Sequence, residues 1–385
     1  MSILKVGIIG CGAFARAQHL PNCHKNPNLQ VIWACDIDID KAQAVCQDFS
    51  IPNATDEPEN IFADETVDVV ILATSHHAHL ELIAKAAAAG KHIMCEKPMA
   101  LKLDDALEIV RIVQRHKIKF CVDHNRRCAP AMKDLKKSFF DFKRQPQHQP
   151  WRFYEMERDQ FRDEQNPVFL VRIQDESSSH RVIHKDPVYG GGAIIGESTH
   201  WYDLISWFFE NDEPVNIQAW GSCIFNHGVT IEFRSGALGT LLFNTGGTFD
   251  YPKELYELTW NGAIFRNECF LENQIYGIPG VGKSYYPLQH DDLSSEVDEP
   301  GMQGFMQKLD YAHQHQERKF DLIFDKGHEA MLADFADAII NDHKSPCDAI
   351  DGFRAVYIAN LAIESIKHGH RMPVEMRFWH TFVTS

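Results

Sequence analysis

The stretch Val6-Gly7-Ile8-Ile9-Gly10-Cys11-Gly12-Ala13-Phe14-Ala15 places a short apolar run directly before a G-x-G-x-x-A turn. The apolar run predicts a buried parallel strand. In such a strand-turn-helix unit, Gly10 permits the tight turn, and Gly12 lets backbone N–H groups approach a pyrophosphate at the N-terminus of the next helix. We therefore expect Gly10, Gly12, Ala13 and Phe14 to bind a dinucleotide.

An acidic residue follows the second apolar run. This run, Val31 to Cys35, ends at Asp36, which lies 24 positions after Gly12. An acidic residue at about this distance binds the adenosine ribose in dinucleotide-binding folds. A carboxylate accepts a hydrogen bond from a 2′-hydroxyl but repels a 2′-phosphate, so Asp36 favours NAD over NADP. The alternative is an ordinary strand-to-helix turn in which Asp36 only caps a helix.

Length and charge limit the classes of function. The chain has 385 residues, which favours two domains, and its formal net charge is -16. The average field of such a protein repels nucleic acid and anionic membranes, so we expect neither as a partner.

Cysteine usage and hydropathy indicate a cytoplasmic protein. The ten cysteines are scattered with no C-x-x-C pair, which predicts reduced thiols and neither a disulfide framework nor a zinc site. We predict no metal site. The hydrophobic N-terminal segment is short for a signal peptide, and no later run reaches membrane-spanning length.

Strand and helix patterns alternate up to residue 122. This rhythm predicts an α/β Rossmann domain, a doubly wound parallel sheet, over residues 1–122. Its strands are predicted at Leu4 to Ile9, Val31 to Cys35, Val67 to Ala73, His92 to Cys95 and Lys119 to Val122.

From residue 123 the pattern changes. Consecutive strand-like alternations predict an α+β domain over residues 123–385, with a large open sheet that is mixed or antiparallel. The segment Glu272 to Lys319 has little periodicity and is interpreted as long loops or an insertion. Helices are predicted at Glu329 to Ile340 and Phe353 to Lys367.

The first candidate catalytic residue is Lys97, in the sequence Cys95-Glu96-Lys97-Pro98 at the end of a predicted parallel strand. Open α/β sheets bind ligands at this edge. A lysine beside a bound dinucleotide can donate to a substrate hydroxyl and stabilise an alkoxide. The alternative is a solvated loop residue paired with Glu96.

The second candidate site begins with three glycines, Gly190 to Gly192, and continues to His200. Glu197, His200 and Asp203 are spaced by three, which predicts that they share one helix face. A histidine held by a carboxylate is a credible general acid or base. A histidine with a structural role in the helix is the alternative.

Several of these motifs together resemble the Gfo/Idh/MocA family of sugar and polyol dehydrogenases. They are the N-terminal G-x-G-x-x-A, Ala73-Thr74 followed by His79, Gly90-Lys91-His92, Glu96-Lys97-Pro98, and the glycine-rich stretch before His200.

The resemblance implies NAD(P)-dependent hydride transfer between nicotinamide and a secondary hydroxyl of a sugar, polyol or nucleotide sugar. It implies that Thr74, His79 and Glu96 belong to the cofactor site. It also implies that Lys97 lies near the nicotinamide and that His200 exchanges the hydroxyl proton. The family commonly has Asp four residues before this histidine, where this chain has Gly196, so we expect Glu197 to compensate.

Substrate contacts and assembly complete these expectations. Arg127, in a sequence that resembles the start of the family's second domain, is expected to contact cofactor or substrate, and its alternative is a surface ion pair. The stretch Arg172 to His184 is expected to approach the substrate, with a mobile surface loop as its alternative. A sheet face carrying Trp220, Phe225 and Phe243 is the expected interface of a homo-oligomer.

Two other functions stay open. One is a lyase or hydrolase that uses NAD catalytically, oxidising a sugar carbon and reducing it again. The other is a regulatory protein that binds dinucleotide without turnover.

Overall fold

Two compact units divide the chain, and each takes its residues from three segments. The first comprises residues 1–127, 183–203 and 327–360, and the second comprises residues 128–182, 204–326 and 361–385. The computed structural model describes residues 3–144, 166–176, 190–248, 250–315 and 321–376. The division of the chain at residues 122/123 into a cofactor-binding and a substrate-binding domain stays a prediction.

Six parallel strands form the sheet of the first unit, in the order β3-β2-β1-β4-β5-β6. The strand order reverses at β1 and β4, which is the topology of a doubly wound fold. The predicted α/β class is therefore confirmed. The strands are β1 (Leu4–Ile9), β2 (Leu29–Cys35), β3 (Asn53–Thr55), β4 (Val69–Leu72), β5 (His92–Cys95) and β6 (Phe120–Val122).

The second unit contains a nine-stranded sheet with the order β14-β13-β12-β11-β7-β10-β9-β8-β17. It is mixed, because β7 and β10 are parallel and the other pairs are antiparallel. Its strands are β7 (Val168–Gln174), β8 (Pro214–Gly221), β9 (His227–Phe233), β10 (Leu238–Asn244), β11 (Glu254–Trp260), β12 (Ala263–Glu268), β13 (Glu272–Tyr276), β14 (Lys283–Tyr285) and β17 (Met372–Pro373).

The interpretation of Glu272 to Lys319 as long loops is wrong for its described part. It contributes β13 and β14 to the large sheet, and β15 (Leu288–Asp291) pairs with β16 (Leu322–Phe324). The helix α9 (Gly301–Gln314) buries Met302 and Phe305 against Cys269 and Leu271. The strands β13, β14 and β15 have only three to five residues each, so the hydrophobic period that marks a strand is weak.

Helices of the described chain agree with the βαβ rhythm of the sequence. No helix within the described ranges is long and apolar enough to cross a membrane. Besides α9, the helices are α1 (Leu20–Lys25), α2 (Ile39–Phe49), α3 (Pro58–Ala63), α4 (His79–Ala88), α5 (Leu103–His116), α6 (Pro130–Arg144), α7 (Gly192–Gly196), α8 (Thr199–Phe208), α10 (His328–Ile340) and α11 (Ala349–His368).

Candidate active site

The turn after β1 has the geometry that a dinucleotide requires. Gly10 has a φ of +98°, and a Cβ there would lie 2.4 Å from the carbonyl oxygen of Ala73. A side chain is therefore excluded at Gly10. A Cβ on Gly12 would meet no atom within 4 Å among the described residues. Gly12 thus borders open space at the start of a helix, where backbone N–H groups are able to bind a phosphate.

Three further cofactor candidates surround this turn. Ala13 and Phe14 are exposed in the first helical turn. The Asp36 carboxylate follows β2 and accepts a hydrogen bond from the backbone N–H of Cys11 at 2.8 Å. Asp36 thus lies against the glycine turn, although 24 residues separate it from Gly12.

Thr74 and His79 follow β4, the strand next to β1. Thr74 Oγ1 is buried and has no hydrogen-bond partner within the described part of the chain. His79 is fully buried, and its Nδ1 lies 3.2 Å from the carbonyl oxygen of Pro98. Burial lowers the pKa of His79 to about 4. The His79 imidazole is therefore neutral, and its contact with the Pro98 carbonyl oxygen stabilises the Glu96-Lys97-Pro98 turn.

Lys97 is brought to the glycine-rich segment. Its ammonium donates to the carbonyl oxygen of Gly196 at 3.0 Å and to the Glu197 carboxylate at 3.3 Å. The side chains of Lys97 and Glu197 are each 14% exposed. The described geometry thus pairs Lys97 with Glu197, whereas the neighbouring Glu96 carboxylate contacts His19 at 2.7 Å.

The prediction that Glu197, His200 and Asp203 share one helix face is wrong. α7 ends at Gly196 and α8 begins at Thr199, so Glu197 lies in the break between two helices. Gly191, with a φ of +72°, starts α7, and a Cβ there would lie 2.8 Å from Leu101. The positive φ of Gly191 thus allows α7 to begin at Gly192. A spacing of three residues does not reveal that α7 ends at Gly196 and that a new helix begins at Thr199.

The His200 imidazole is buried and neutral. Its Nδ1 has no hydrogen-bond partner among the residues that the structure describes. Burial, together with the positive charges of Arg126 and Lys97, holds the pKa of His200 well below its ordinary value. A neutral imidazole beside an ammonium group can accept a proton from a substrate.

Arg127 joins two carboxylates in the interior of the first unit. Its Nε and Nη2 donate to both oxygens of Asp203 at 2.6 and 2.5 Å, and its Nη1 donates to Asp351 at 2.9 Å. The Arg127 side chain is 8% exposed, so the alternative of a surface ion pair does not apply. This bidentate pair ties the segment after β6 to α8, one turn beyond His200.

Sequence reasoning missed the polar residues directly after β6. The rings of His124 and His200 lie 5.6 Å apart, and burial lowers the pKa of His124 to about 3. Asp123 contacts His328 on α10 at 3.3 Å. The sequence contains a signal for these residues, because they directly follow a predicted parallel strand, as Glu96 and Lys97 do. Ligands bind at the carboxyl ends of such strands.

Arg172 belongs to the second unit. It lies on β7 with its guanidinium over the Tyr251 ring, 4.8 Å from the centroid. Its expected contact with substrate stays a prediction, and residues 177–184 of the stretch named with it lie outside the described residues.

The expected interface on the large sheet requires a correction. Trp220 and Phe225 are exposed, but Phe243 is buried and stacks on the imidazole of His227. Phe243 therefore belongs to the core of the second unit and cannot face a partner.

Comparisons with known proteins match both parts of the chain. A family model described as an oxidoreductase family with an NAD-binding Rossmann fold matches residues 4–124, and one for the C-terminal alpha/beta domain of an oxidoreductase family matches residues 181–376. An uncharacterized oxidoreductase of Bacillus subtilis, YrbE, is 22% identical over 96% of both chains. Myo-inositol 2-dehydrogenase of Thermotoga maritima is 22% identical over 68% of this chain and 75% of its own.

A solved structure shares the fold. The WlbA dehydrogenase from Bordetella pertussis, in complex with NADH and UDP-GlcNAcA, has a TM-score of 0.72 and 16% identity, covering 97% of this chain and 98% of that chain.

Proposed function

We propose that this chain, which belongs to the Gfo/Idh/MocA family of NAD-binding oxidoreductases, transfers hydride between NAD and a secondary hydroxyl of a sugar, polyol or nucleotide sugar. The observation that carries the proposal is the contact between the Lys97 ammonium and the Glu197 carboxylate. Glu197 lies three residues before His200, whose imidazole is buried and neutral. One relative is named as a dehydrogenase of an inositol, and one similar structure was solved in complex with a nucleotide sugar. Both support this substrate class.

Three features of the first unit fit NAD. The open space at Gly12 leaves room for a pyrophosphate at a helix N-terminus, and the buried Thr74 Oγ1 has an unused hydrogen-bonding capacity among the described residues. Asp36 would accept from the adenosine ribose, and its charge disfavours a 2′-phosphate. NAD supplies the hydride acceptor when it is bound.

His200 acts as the general base in the proposed oxidation. Its imidazole accepts the proton of the substrate hydroxyl, and the Lys97 ammonium donates a hydrogen bond to the same oxygen as negative charge develops. Both groups are largely removed from water, where a fixed charge stabilises an alkoxide more strongly. In the reverse reduction, His200 returns the proton.

Glu197 orients Lys97 in this proposal. Its carboxylate is 3.3 Å from the Lys97 ammonium, and it stands one residue after Gly196, where the family commonly has Asp. The carbonyl oxygen of Gly196 supplies a second acceptor for Lys97 at 3.0 Å. We expect Glu197→Gln to lower kcat more than it raises KM, because the pair acts on the charge that forms during the reaction.

The proposal is tested by following NADH absorbance with inositols, aldoses, amino sugars and nucleotide sugars. Lys97→Met is measured beside the wild type, and Lys102→Met, a change at an exposed lysine, is the matched control. We expect turnover of one substrate class by the wild type and by Lys102→Met, and none by Lys97→Met. Equal turnover by Lys97→Met would refute the role of this lysine.

The same assay separates the other two functions. Substrate consumption without net NADH would favour the redox-neutral lyase or hydrolase, and NAD binding without any product would favour a regulatory protein. Homo-oligomerisation and a cytoplasmic location stay predictions.

A further inference from the structure

A second polar cluster lies beside the candidate active site and has no part in the proposed mechanism. It consists of His19, Glu96 and Asp123, whose side chains each bring one potential ligand atom within 4.8 Å of the others. His19 ends a π-helical turn, Ala15–His19, whereas Glu96 and Asp123 directly follow the neighbouring strands β5 and β6. Three separate elements of the first unit therefore converge on one point.

The cluster is buried, and one of its carboxylates, that of Asp123, is incompletely satisfied. His19 and Asp123 are 3% and 1% exposed, and the side chain of Glu96 is 12% exposed. His19 Nε2 contacts one Glu96 oxygen at 2.7 Å. Asp123 Oδ1 is buried without a hydrogen-bond partner in the described part of the molecule. A buried carboxylate oxygen without a partner favours a cationic ligand, because leaving a buried charged group unsatisfied is costly.

His328 holds Asp123 from outside the cluster. The side-chain amide of Asn125 lies 3.1 Å from His328 Nε2, and His328 Nδ1 lies 3.3 Å from Asp123 Oδ2. If the Asn125 NH₂ group donates to Nε2, the proton of His328 is on Nδ1 and is donated to Asp123. A histidine that orients a carboxylate in this way is typical of the outer layer of a metal site.

We propose that His19, Glu96 and Asp123 bind one divalent first-row transition-metal ion of the Mn²⁺, Fe²⁺ or Zn²⁺ type. One imidazole and two carboxylates suit these ions, and the nitrogen ligand disfavours Mg²⁺ and Ca²⁺. The double charge of the ion balances the two carboxylates. The ion replaces the proton shared by His19 and Glu96, so its affinity rises with pH.

Sequence spacing could not indicate this site. The three ligands are separated by 77 and 27 positions, and none belongs to a short metal-binding motif. The prediction that the chain has no metal site rested on its cysteines, and none of the three proposed ligands is a cysteine.

The test uses the full chain after treatment with a chelator. Mn²⁺ binding is titrated by electron paramagnetic resonance, and Co²⁺ binding by its visible absorbance, which reports the coordination geometry of the ion. We expect one ion per chain in the wild type and no saturable binding in His19→Gln or Asp123→Asn. His328→Gln, which keeps all three ligands, weakens binding by about 10- to 100-fold, the effect typical of outer-layer partners.

A matched control is present in the chain. His290, Asp292 and Asp321 form an exposed cluster with similar separations, and Asp292→Asn removes one of its carboxylates. We expect Asp292→Asn to bind the ion as the wild type does. Absence of saturable binding by the wild type would overturn the proposal, as would binding that survives in His19→Gln and is lost in Asp292→Asn. Neither result depends on dehydrogenase activity, so the proposed function is tested separately.

Discussion

Replacing Arg127 by Met removes the buried cation between two carboxylates. In the wild type its guanidinium donates to both oxygens of Asp203 and to Asp351, and the Asp203 side chain is 1% exposed. Met has a similar length but no charge, so Asp203 stays buried without its partner. Loss of one member of a buried ion pair costs about 3–5 kcal/mol of unfolding free energy.

This cost depends on pH through Asp203. Burial already raises the pKa of Asp203 to about 6, although Arg127 lowers it. Without Arg127 the folded-state pKa rises further, so the folded variant holds a proton that the unfolded chain releases above about pH 4. The variant therefore loses about 1.4 kcal/mol of stability per unit of rising pH until its folded-state pKa is reached.

Urea unfolding followed by circular dichroism between pH 6 and 8 measures both effects. Arg144→Met is the matched control, because Arg144 is exposed and pairs with an exposed Asp141, and we expect its midpoint to equal that of the wild type. The double variant Arg127→Met/Asp203→Asn should lose the part of the pH dependence that Asp203 contributes. An Arg127→Met variant as stable as the wild type at pH 8 would show that Arg127 does not stabilise the buried Asp203 carboxylate.

Three further outcomes are expected. His200→Asn should lower kcat by about two to four orders of magnitude, the usual scale of general acid–base catalysis, and wild-type turnover at saturating substrate would contradict its role. Asp36→Ala should weaken binding of NAD more than of NADP in fluorescence titrations, whereas an unchanged preference removes Asp36 from the ribose contact. His79 and His124 are buried with pKa values lowered to about 4 and about 3. The unfolded chain protonates them below about pH 6.5, so each lowers stability by roughly 1.4 kcal/mol per pH unit as pH falls towards its folded-state value. Thermal melts of wild type and His124→Gln should show the smaller acid sensitivity in the variant, and equal slopes would count against a buried neutral His124.

The parallel sheet could be predicted from sequence because its strands are nearly continuous apolar runs. β1 and β5 have the predicted bounds, and β4 is shorter at both ends than predicted. The turn residues after these strands were also accessible to prediction, since the carboxyl ends of parallel strands share one edge. The three-residue β3 was missed because so short a strand has no measurable period.

Side-chain pairing could not be predicted in the same way. The spacing of three between His200 and Asp203 indicated a carboxylate–histidine pair, but Asp203 pairs with Arg127, 76 positions away. Glu197 is a separate case, because the break between α7 and α8 removes it from the helix that carries His200. Such long-range ion pairs depend on which buried charged groups come together in the folded chain. The local hydrophobic period of the sequence does not predict them.

The ratio of NADH formed to substrate consumed shows whether the protein transfers hydride with net oxidation of its substrate. It is measured with the purified wild-type chain on the sugar or polyol that it turns over, by absorbance for NADH and by chromatography for substrate. Net hydride transfer through Lys97 and His200 predicts a ratio of one. Substrate consumption with no NADH would contradict net hydride transfer to NAD and would favour redox-neutral use of NAD.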